Sequence, residues 1–491
     1  MRPAGATLVQ LTIPGAALSP ALRAAHGRLV APDANVWRLP ARSAGAVREL
    51  RAEGVLAHAE REQKFVTFTH LSAGDPLIPN EWWISHIGED RAEPPGPGIP
   101  ITVVDTGLDF SHPEFATRPN TRAMNEQVVL SERERHGTEV SSVAAAPSDG
   151  RGLVGVYPQA VLQEWDFHSG NLGDVLGALD SVSKRGRTVF NFSGGFPGYS
   201  TLLENAVDRA LRRGCVVVAA VGNARESGSP SFVPASLPHV LTVGASNEAD
   251  HVAFFSSRSS AIDLVAPGVA IPTAVPTFYD PSGYADADGT SFSSPLVAGA
   301  AAWVWTARPQ LDATQLQDVM RDSARDLGPR GWDADTGFGL LWIPGALGVR
   351  VRAKDPQEPN DDIDLVRPHG VTTSGTRVAT PAFLRAHLDI AEDPEDVYRV
   401  WVPAHGRIAA RTRSSANVDL ALWRPTARSV YERGRAAARD LIGYSEKAGS
   451  RSDSVAGANS ADRGAFYYLD VFLGKRVGEA AYSLKISVAR R

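Results

Sequence analysis

The chain has 491 residues, 43% of them hydrophobic and 21% charged, with a formal net charge of −5. That length exceeds one ordinary core and predicts about two to four domains, while the charge balance gives no basis for nucleic acid or an anionic membrane as partner. No apolar run reaches the roughly eighteen residues that span a bilayer, and the single cysteine, Cys215, rules out an intrachain disulfide and a cysteine metal cluster.

The first twenty residues lack a charged segment followed by an uninterrupted apolar one, because Gln10 and Pro14 break the candidate. Export is either not encoded in this sequence or rests on a signal that it does not include. Leu8 to Pro14 alternates like a strand, Ser19 to His26 suits a short helix, and Asn35 to Pro40 suits a second strand. Ala44 to Glu53 is helical in pattern, with Val47 and Leu50 on one side, and Gly54 stops it. Val55 to Phe68 holds one or two more strand pieces, so residues 1–70 predict a small α+β domain. Between Thr69 and Pro100, Gly, Pro and Asn scatter around Trp82, Trp83 and Ile87, which suggests a linker leading into the next domain.

From Ile101 the pattern changes to short apolar strands separated by helices. Ile101 to Asp105 is a strand ending in a carboxylate, and His136 to Ala146 is a helix with its histidine at the start. Leu153 to Val156, Ala160 to Phe167 and Thr188 to Phe192 read as strands. Thr201 to Arg213 is an amphipathic helix closed by Gly214, with Leu202, Leu203, Val207, Ala210 and Leu211 expected inward. Val216 to Val221, where Cys215 precedes as a small core residue, ends at Gly222-Asn223, and His239 to Ala245 follows in the same style. This alternation implies a parallel sheet with helices on both faces. In such sheets the site lies beyond the carboxyl ends of the strands, where Asp105, Ser193-Gly-Gly195 and Asn223 fall.

Gly289-Thr-Ser-Phe-Ser-Ser-Pro295 opens a run of small and apolar residues to Trp305, which predicts a helix buried nearly all round, with Pro295 in its first turn. Ser291 then stands at the amino end, where free N–H groups and the helix dipole favour developing negative charge; a plain helix cap is the ordinary alternative. Gly337 to Pro344 closes this domain, and Asp355 to Asp362 is a polar, proline-bearing linker. Alternating runs at 396–402, 407–412, 418–423, 465–472 and 482–488 then predict an antiparallel β-sandwich. The boundaries expected are 1–70, 71–350, a linker over 351–365, and 366–491.

A serine needs an adjacent base, itself oriented by a carboxylate, to become a nucleophile at neutral pH. Asp105, His136 and Ser291 offer those three groups in that order, and Asn223 offers a donor for an oxyanion. Singly, each has a structural reading: a strand end, a core histidine, a cap and a turn residue. Together they form a constellation.

That constellation resembles the subtilisin-like serine proteases, or subtilases. Val104-Asp-Thr-Gly107, continued by Ser111-His-Pro-Glu-Phe115, is similar to the family's aspartate motif; His136-Gly-Thr138 resembles its histidine motif and Gly289 to Pro295 its serine motif. Ala220-Val-Gly-Asn223 resembles the oxyanion segment and Asn191-Phe-Ser-Gly-Gly195 the strand that pairs with substrate backbone, with Phe254 to Ser257 and Ala266 to Val269 as further landmarks. The resemblance covers about residues 75–350 and implies that Ser291 attacks the scissile carbonyl, His136 shuttles the proton, Asp105 holds the imidazole, and Asn223 binds the oxyanion. Ser193, Gly194 and Gly195 would bind peptide or protein substrate as an added strand. Two residues depart from the pattern: Glu139 replaces a second histidine, and Gly194 replaces a usual leucine, which leaves the shape of the specificity pocket open.

The resemblance also implies a structural calcium ion, none being needed for catalysis, with Glu114 and Asp149 as carboxylate ligands; a surface Glu and a solvated loop acid are the alternative. Residues 1–70 resemble the family's inhibitory propeptides, so that the chain would cut itself between about Glu60 and Gly74; a permanent accessory domain is the alternative. Residues 360–491 resemble the prepeptidase C-terminal sandwich of secreted proteases, which would bind insoluble protein or carbohydrate or assist secretion. The expectation is therefore a secreted, monomeric endopeptidase, inhibited by its own N-terminal domain, with no nucleic-acid or membrane partner. A binding protein built on an inactive protease fold, and an adhesion module in which the C-terminal sandwich is the main function, are the competing readings.

Overall fold

The computed structural model describes residues 7–11, 19–31, 36–40, 43–61, 75–129, 131, 134–167, 170–352, 357–367, 370–371, 381–389, 393–431, 434–447, 452–474 and 477–490. The chain divides into two compact units, residues 1–68 and 69–491. The first carries strands β1 (Thr7–Leu11), β2 (Arg28–Ala31), β3 (Val36–Leu39) and β4 (Leu56–Arg61), and helices α1 (Pro20–Ala24) and α2 (Ala44–Ala52). Its strands form one antiparallel sheet in the order β2-β3-β1-β4. Val9, Leu22, Leu39 and Leu50 are the buried centre, and Val47 packs against it, so the side of α2 expected to carry Val47 and Leu50 is the one that faces inward.

The first α-helix of the second unit among the described residues is the short α3 (Trp83–Ile87), whose Trp83 and Ile87 are buried. Seven parallel strands follow: β5 (Ile101–Asp105), β6 (Thr121–Ala123), β7 (Leu162–Asp166), β8 (Val189–Phe192), β10 (Val216–Ala220), β12 (Val240–Ser246) and β13 (Leu264–Pro267). Short ribbons β9 (Phe196–Pro197) with β11 (Phe232–Val233), and β14 (Ile271–Ala274) with β15 (Tyr284–Ala287), stand beside them. The helices are α4 (His136–Ala145), α5 (Leu172–Ser183), α6 (Thr201–Arg212), α7 (Thr290–Ala307), α8 (Ala313–Asp322) and α9 (Ile343–Gly348).

The sheet order is β13-β12-β10-β8-β5-β7-β6, so the chain turns from one side of β5 to the other. A crevice opens at the carboxyl ends of strands where the winding reverses in this way. Successive residues of β10 face opposite layers: Val216 and Val218 pack with α4 and α7, Val217 and Ala219 with α5 and α6. Both faces being covered, the strands read as continuous apolar runs. Helix α7 is buried from Thr290 to Trp305 apart from Ser291, which keeps partial exposure.

Three expectations change. Leu153 to Val156 is not a strand: the N–H of Val156 and of Tyr157 donate to the carbonyls of Val143 and Ala144, and Gly155 to that of Ala146, so the run caps the end of α4. It is apolar because it is buried, not because it pairs in a sheet. Leu202 is 62% exposed, since α6 begins at Thr201 with Ser200 as its cap and turns its first residues to solvent. Pro295 lies inside α7 and not in its first turn, because the helix already starts at Thr290.

The polar segment ahead of the sandwich is partly buried, with Asn360 and Ile363 fully so. A short helix α10 (Ile363–Val366) leads to β16 (Ala382–Asp389), β17 (Glu395–Val402), β18 (Gly406–Ser414), β19 (Val418–Trp423), helix α11 (Arg435–Asp440), β20 (Leu441–Ser445), β21 (Ser454–Ala458), β22 (Ala465–Leu473) and β23 (Glu479–Arg490). These form two four-stranded antiparallel sheets, β16-β23-β18-β21 and β17-β22-β19-β20. Inward residues of both, including Val400, Ile408, Leu420, Leu469 and Leu484, make one core. His239, ahead of β12, bonds Asp361 Oδ2 through Nε2 at 2.6 Å, and Arg212 of α6 donates to the Leu365 carbonyl at 3.3 Å, so the sandwich is tied to the sheet domain.

Gly155 permits the cap on α4: a Cβ there would lie 2.4 Å from the backbone nitrogens of both Ala145 and Ala146. Backbone cannot swing aside, so Gly155→Ala is expected to destabilise the fold by about 1–3 kcal/mol, read as a lower denaturant midpoint with an unchanged slope.

Candidate active site

Asp105 is the last residue of β5, and His136 the first of α4. What brings them together is the close approach of α4 to the loop after β5. Gly137 allows it, since a Cβ there would lie 2.3 Å from the Gly107 carbonyl oxygen. Thr106 Oγ ties the two, accepting from the Gly137 N–H at 2.9 Å and donating to the Glu134 carbonyl at 3.1 Å. His136 Nδ1 then meets Asp105 Oδ1 at 2.8 Å, and the same oxygen accepts the Thr106 N–H at 2.8 Å. Asp105 is 2% exposed, while the imidazole keeps 31% of its surface.

Burial lowers the proton affinity of the His136 ring, but the charge of Asp105 and the hydrogen bond to it outweigh this. Glu139 adds to the rise and Arg135 subtracts from it, leaving the imidazole above its ordinary value. Glu139, one turn along α4, is buried and paired with Arg135 at 3.4 Å, and Arg135 lies 4.1 Å above the Tyr279 ring. Burial raises the Glu139 carboxyl, with Arg135 opposing. Burial likewise raises Glu164, beside β5 on β7, well above the usual carboxylate range.

Ser291 is the second residue of α7. Its Oγ donates to the Ser193 carbonyl at 2.9 Å, and among the described residues no hydrogen bond joins it to His136. Pro295 has no N–H to give the Ser291 carbonyl four residues back; Ser193 Oγ donates to that carbonyl instead, at 2.7 Å. Asn191 Nδ2 donates to Ser193 Oγ at 3.0 Å, and Ser294 Oγ donates to Asn191 Oδ1 at 2.7 Å. Asn223 follows β10, and its Oδ1 accepts both the N–H and the hydroxyl of Thr290 at 2.9 Å. That orients its amide: Nδ2 is left without a hydrogen-bond partner among the described residues, on an exposed side chain. Gly194 and Gly195 are exposed beside Ser193. Such an arrangement can hold a hydroxyl near a base and offer N–H groups to an oxyanion.

Thr290, Asn191 and Ser294 escaped the sequence reading, although all lie inside stretches singled out there; their small polar side chains carry no pattern of their own. Glu114 and Asp149, the expected cation ligands, lie near one another. Glu114 Oε1 accepts from Tyr284 at 2.7 Å and from the Leu153 N–H at 3.2 Å, while its buried Oε2 has no hydrogen-bond partner. Burial pushes the Glu114 carboxyl up to about 7. Asp149 is exposed, with Oδ1 accepting from the Arg151 N–H at 3.2 Å. Two further acids join this loop without any sequence signal: Asp75 accepts from the Gly150 N–H at 2.7 Å, and Glu81 from the Val154 N–H at 3.2 Å. Elsewhere, Glu358, Asp393 and Asp396 gather within 4.8 Å, as do His239, Glu358 and Asp361, all of them groups that can face a cation.

If Asp105 is what holds the imidazole charge, then Asp105→Asn lowers the His136 pKa, because desolvation remains while the opposing charge is lost. Ring-proton NMR against pH checks this; an unchanged titration would remove Asp105 from the account.

Three comparisons bear on these residues. Residues 96–339 match the family model described as the subtilase family. The subtilisin of Bacillus pumilus is 35% identical over 240 residues, which is 48% of this chain and 86% of that relative. Subtilisin Savinase of Lederbergia lenta is 34% identical over 254 residues, 50% of this chain and 92% of its own. Subtilisin E of Bacillus subtilis is 35% identical, with 62% of its length covered. Fervidolysin from Fervidobacterium pennivorans, described as a keratinolytic enzyme related to subtilisin, shares the fold over 94% of this chain and 90% of its own, at a TM-score of 0.52 and 19% identity. The chain belongs to the subtilase family of subtilisin-like serine endopeptidases.

Proposed function

We propose that the chain hydrolyses peptide bonds through an acyl-enzyme on Ser291. What supports this reading is that the His136–Asp105 pair at the end of β5, Ser291 bonded at the end of β8 and Asn223 at the end of β10 stand on neighbouring strands, with the His136 ring 6.0 Å from that of Phe292, next to Ser291. In this reading the Ser291 hydroxyl turns from the Ser193 carbonyl towards His136 Nε2 and gives up its proton as Oγ attacks the scissile carbonyl. The oxyanion that forms takes hydrogen bonds from Asn223 Nδ2 and the N–H of Ser291, at the positive end of α7. His136 passes its proton to the leaving amine, and a water then repeats the sequence in reverse, releasing the acid and restoring Ser291. Asp105 stabilises the imidazolium throughout. The substrate backbone lies along Ser193, Gly194 and Gly195, where the two glycines carry no side chain and leave room for an added strand. Because His136 acts as a base, activity is lost as pH falls through its raised pKa.

In the same reading the unit 1–68 is the enzyme's own inhibitor, removed by a cut between about Glu60 and Gly74, a stretch of which 62–74 lies outside the described residues. The enzyme works outside the cell as a monomer, and no helix among the described residues is long and apolar enough to cross a membrane. Glu114, Asp75 and the carbonyls of the 146–154 loop would hold calcium, Asp149 adding charge at the rim. What supports the fit is the buried, unpartnered Glu114 Oε2, an oxygen of the kind a hard cation takes. Bound there, the ion would brace the loop that caps α4.

Intact mass followed over time tests the reading: the parent chain is expected to lose its N-terminal unit and cleave casein, while Ser291→Ala does neither. Asn223→Ala is expected to keep slow cleavage, since losing one oxyanion donor costs about 2.7–4 kcal/mol in subtilisin, the source of that figure. Cleavage by Ser291→Ala at the parent rate would sink the proposal.

Removal of calcium with EDTA is expected to lower the melting temperature, and to do so more at pH 8 than at pH 5. Glu114 has its folded pKa raised to about 7, so without an ion its ionisation opposes folding as pH rises from its unfolded value through 7; a bound cation reverses this. Saturation at about a hundred times Kd would add about 2.7 kcal/mol. Equal loss at both pH values would argue against Glu114 as a ligand.

A further inference from the structure

The segments that follow β8 and β10 separate to form two walls. Ser193 to Gly195 is one and Val221 to Asn223 the other, and both end against Ser291 and Thr290. Between them lies Phe232 of β11. A Cβ placed on Gly195 would come within 3.1 Å of Phe232 Cβ, and one placed on Gly222 within 3.5 Å of Phe232 Cδ2. The side chain therefore starts at one wall and its ring edge touches the other.

The backbone that carries the ring is fixed. Phe232 pairs with Pro197 and Val233 with Phe196 across the β9–β11 ribbon, and the Ser236 N–H donates to the Phe232 carbonyl at 2.9 Å. Val233 is buried and its carbonyl would stand 2.8 Å from a Cβ on Gly195, so the ribbon cannot slide towards that wall. Arg258 lines the cavity that Val221 and Phe232 border, and its guanidinium is paired with Asp335 at 3.7 Å; the Arg225 guanidinium is also paired with Asp335 and donates to the Ser256 carbonyl at 2.9 Å.

On the proposed function, the residue that supplies the scissile carbonyl lies along Ser193–Gly195 with its oxygen towards Asn223. Its side chain then points between the two walls. We propose that Phe232 is a specificity-determining residue: it occupies the depth of that crevice, and the enzyme cleaves after small uncharged residues, Gly, Ala or Ser, in preference to aromatic or long ones. The inference rests on the reading of the site given above. In energetic terms an occupied pocket rejects a larger side chain by overpacking, and each methylene in such a pocket is worth about 10–200-fold in kcat/KM.

The test uses two peptides that differ only in the residue before the scissile bond, Ala or Phe, with the full chain and with Phe232→Ala. The parent is expected to favour Ala by at least about tenfold in kcat/KM, and Phe232→Ala to shift that ratio by at least about tenfold towards Phe. The melting transition of the variant establishes that it is folded; if it is not, Phe232→Leu serves, with a smaller shift in the same direction. A parent that cleaves after Phe as readily as after Ala overturns the inference and leaves the protease reading standing, as does a folded variant with an unmoved ratio. A parent that cleaves neither peptide, nor casein, and takes no serine-directed fluorophosphonate overturns both.

Discussion

The amino end of α7 is the point on which the rest of the site depends. Pro295 withholds the N–H that would have closed the Ser291 carbonyl into the helix, and Ser193 fills the gap from the end of β8. Ser294, in the same helical turn, fixes Asn191, which holds Ser193; Thr290, at the other side, fixes Asn223. One helix end thus sets the spacing of two strand ends. A buried carbonyl left unpaired costs about 1–3 kcal/mol, so the linkage between helix and strand is stabilising as well as geometric. Behind it the helix is buried to Trp305, which leaves Ser291 little freedom to move relative to the sheet.

The electrostatic arrangement is of the same kind. The carboxylate at the end of β5 is shielded from water, and the Oδ1 that accepts the Thr106 N–H also meets an imidazole that remains open to solvent on its other side. Neighbouring acids are kept from competing by different means. Burial drives Glu164 towards its neutral form, and Glu139 is paired with Arg135, itself stacked on Tyr279. A histidine at the position of Glu139 would bring a second titrating ring to the helix; the carboxyl brings negative charge, which favours the protonated form of His136. The departure from the family motif therefore changes the field at the site and leaves its geometry intact.

Relatives among the subtilisins share about half of this chain, the half that holds the parallel sheet. The fold of fervidolysin extends the likeness over nearly all of it. Within the second unit the β-sandwich is not a loosely tethered addition. His239 and Asp361 meet at 2.6 Å, and buried Asn360 bonds Asp396 of β17, so the segment between the two is built into both.

The sequence by itself determined the class of the fold and named the residues proposed for the site. Apolar runs without alternation imply strands covered on both faces, and a run of small residues after Gly289 implies a helix that other elements approach closely; both properties are local, and both are found. Asp105, His136, Asn223 and Ser291 were nameable for the same reason, since each sits in a short stretch with few other uses. The tertiary structure alone decided which groups satisfy which. Leu153 to Val156 looks like a strand because burial and strand pairing select the same residues, and only its partners on α4 tell the two apart. Leu202 has the right spacing for an inward face but belongs to a first turn that no described residue covers. Asp75, Glu81 and Phe232 carry no signal, because what gives each its place is a partner distant in the chain: a loop amide for the acids, two glycine walls for the ring. Periodicity and motif are written along the chain, whereas the filling of space and the pairing of buried polar atoms exist only across it.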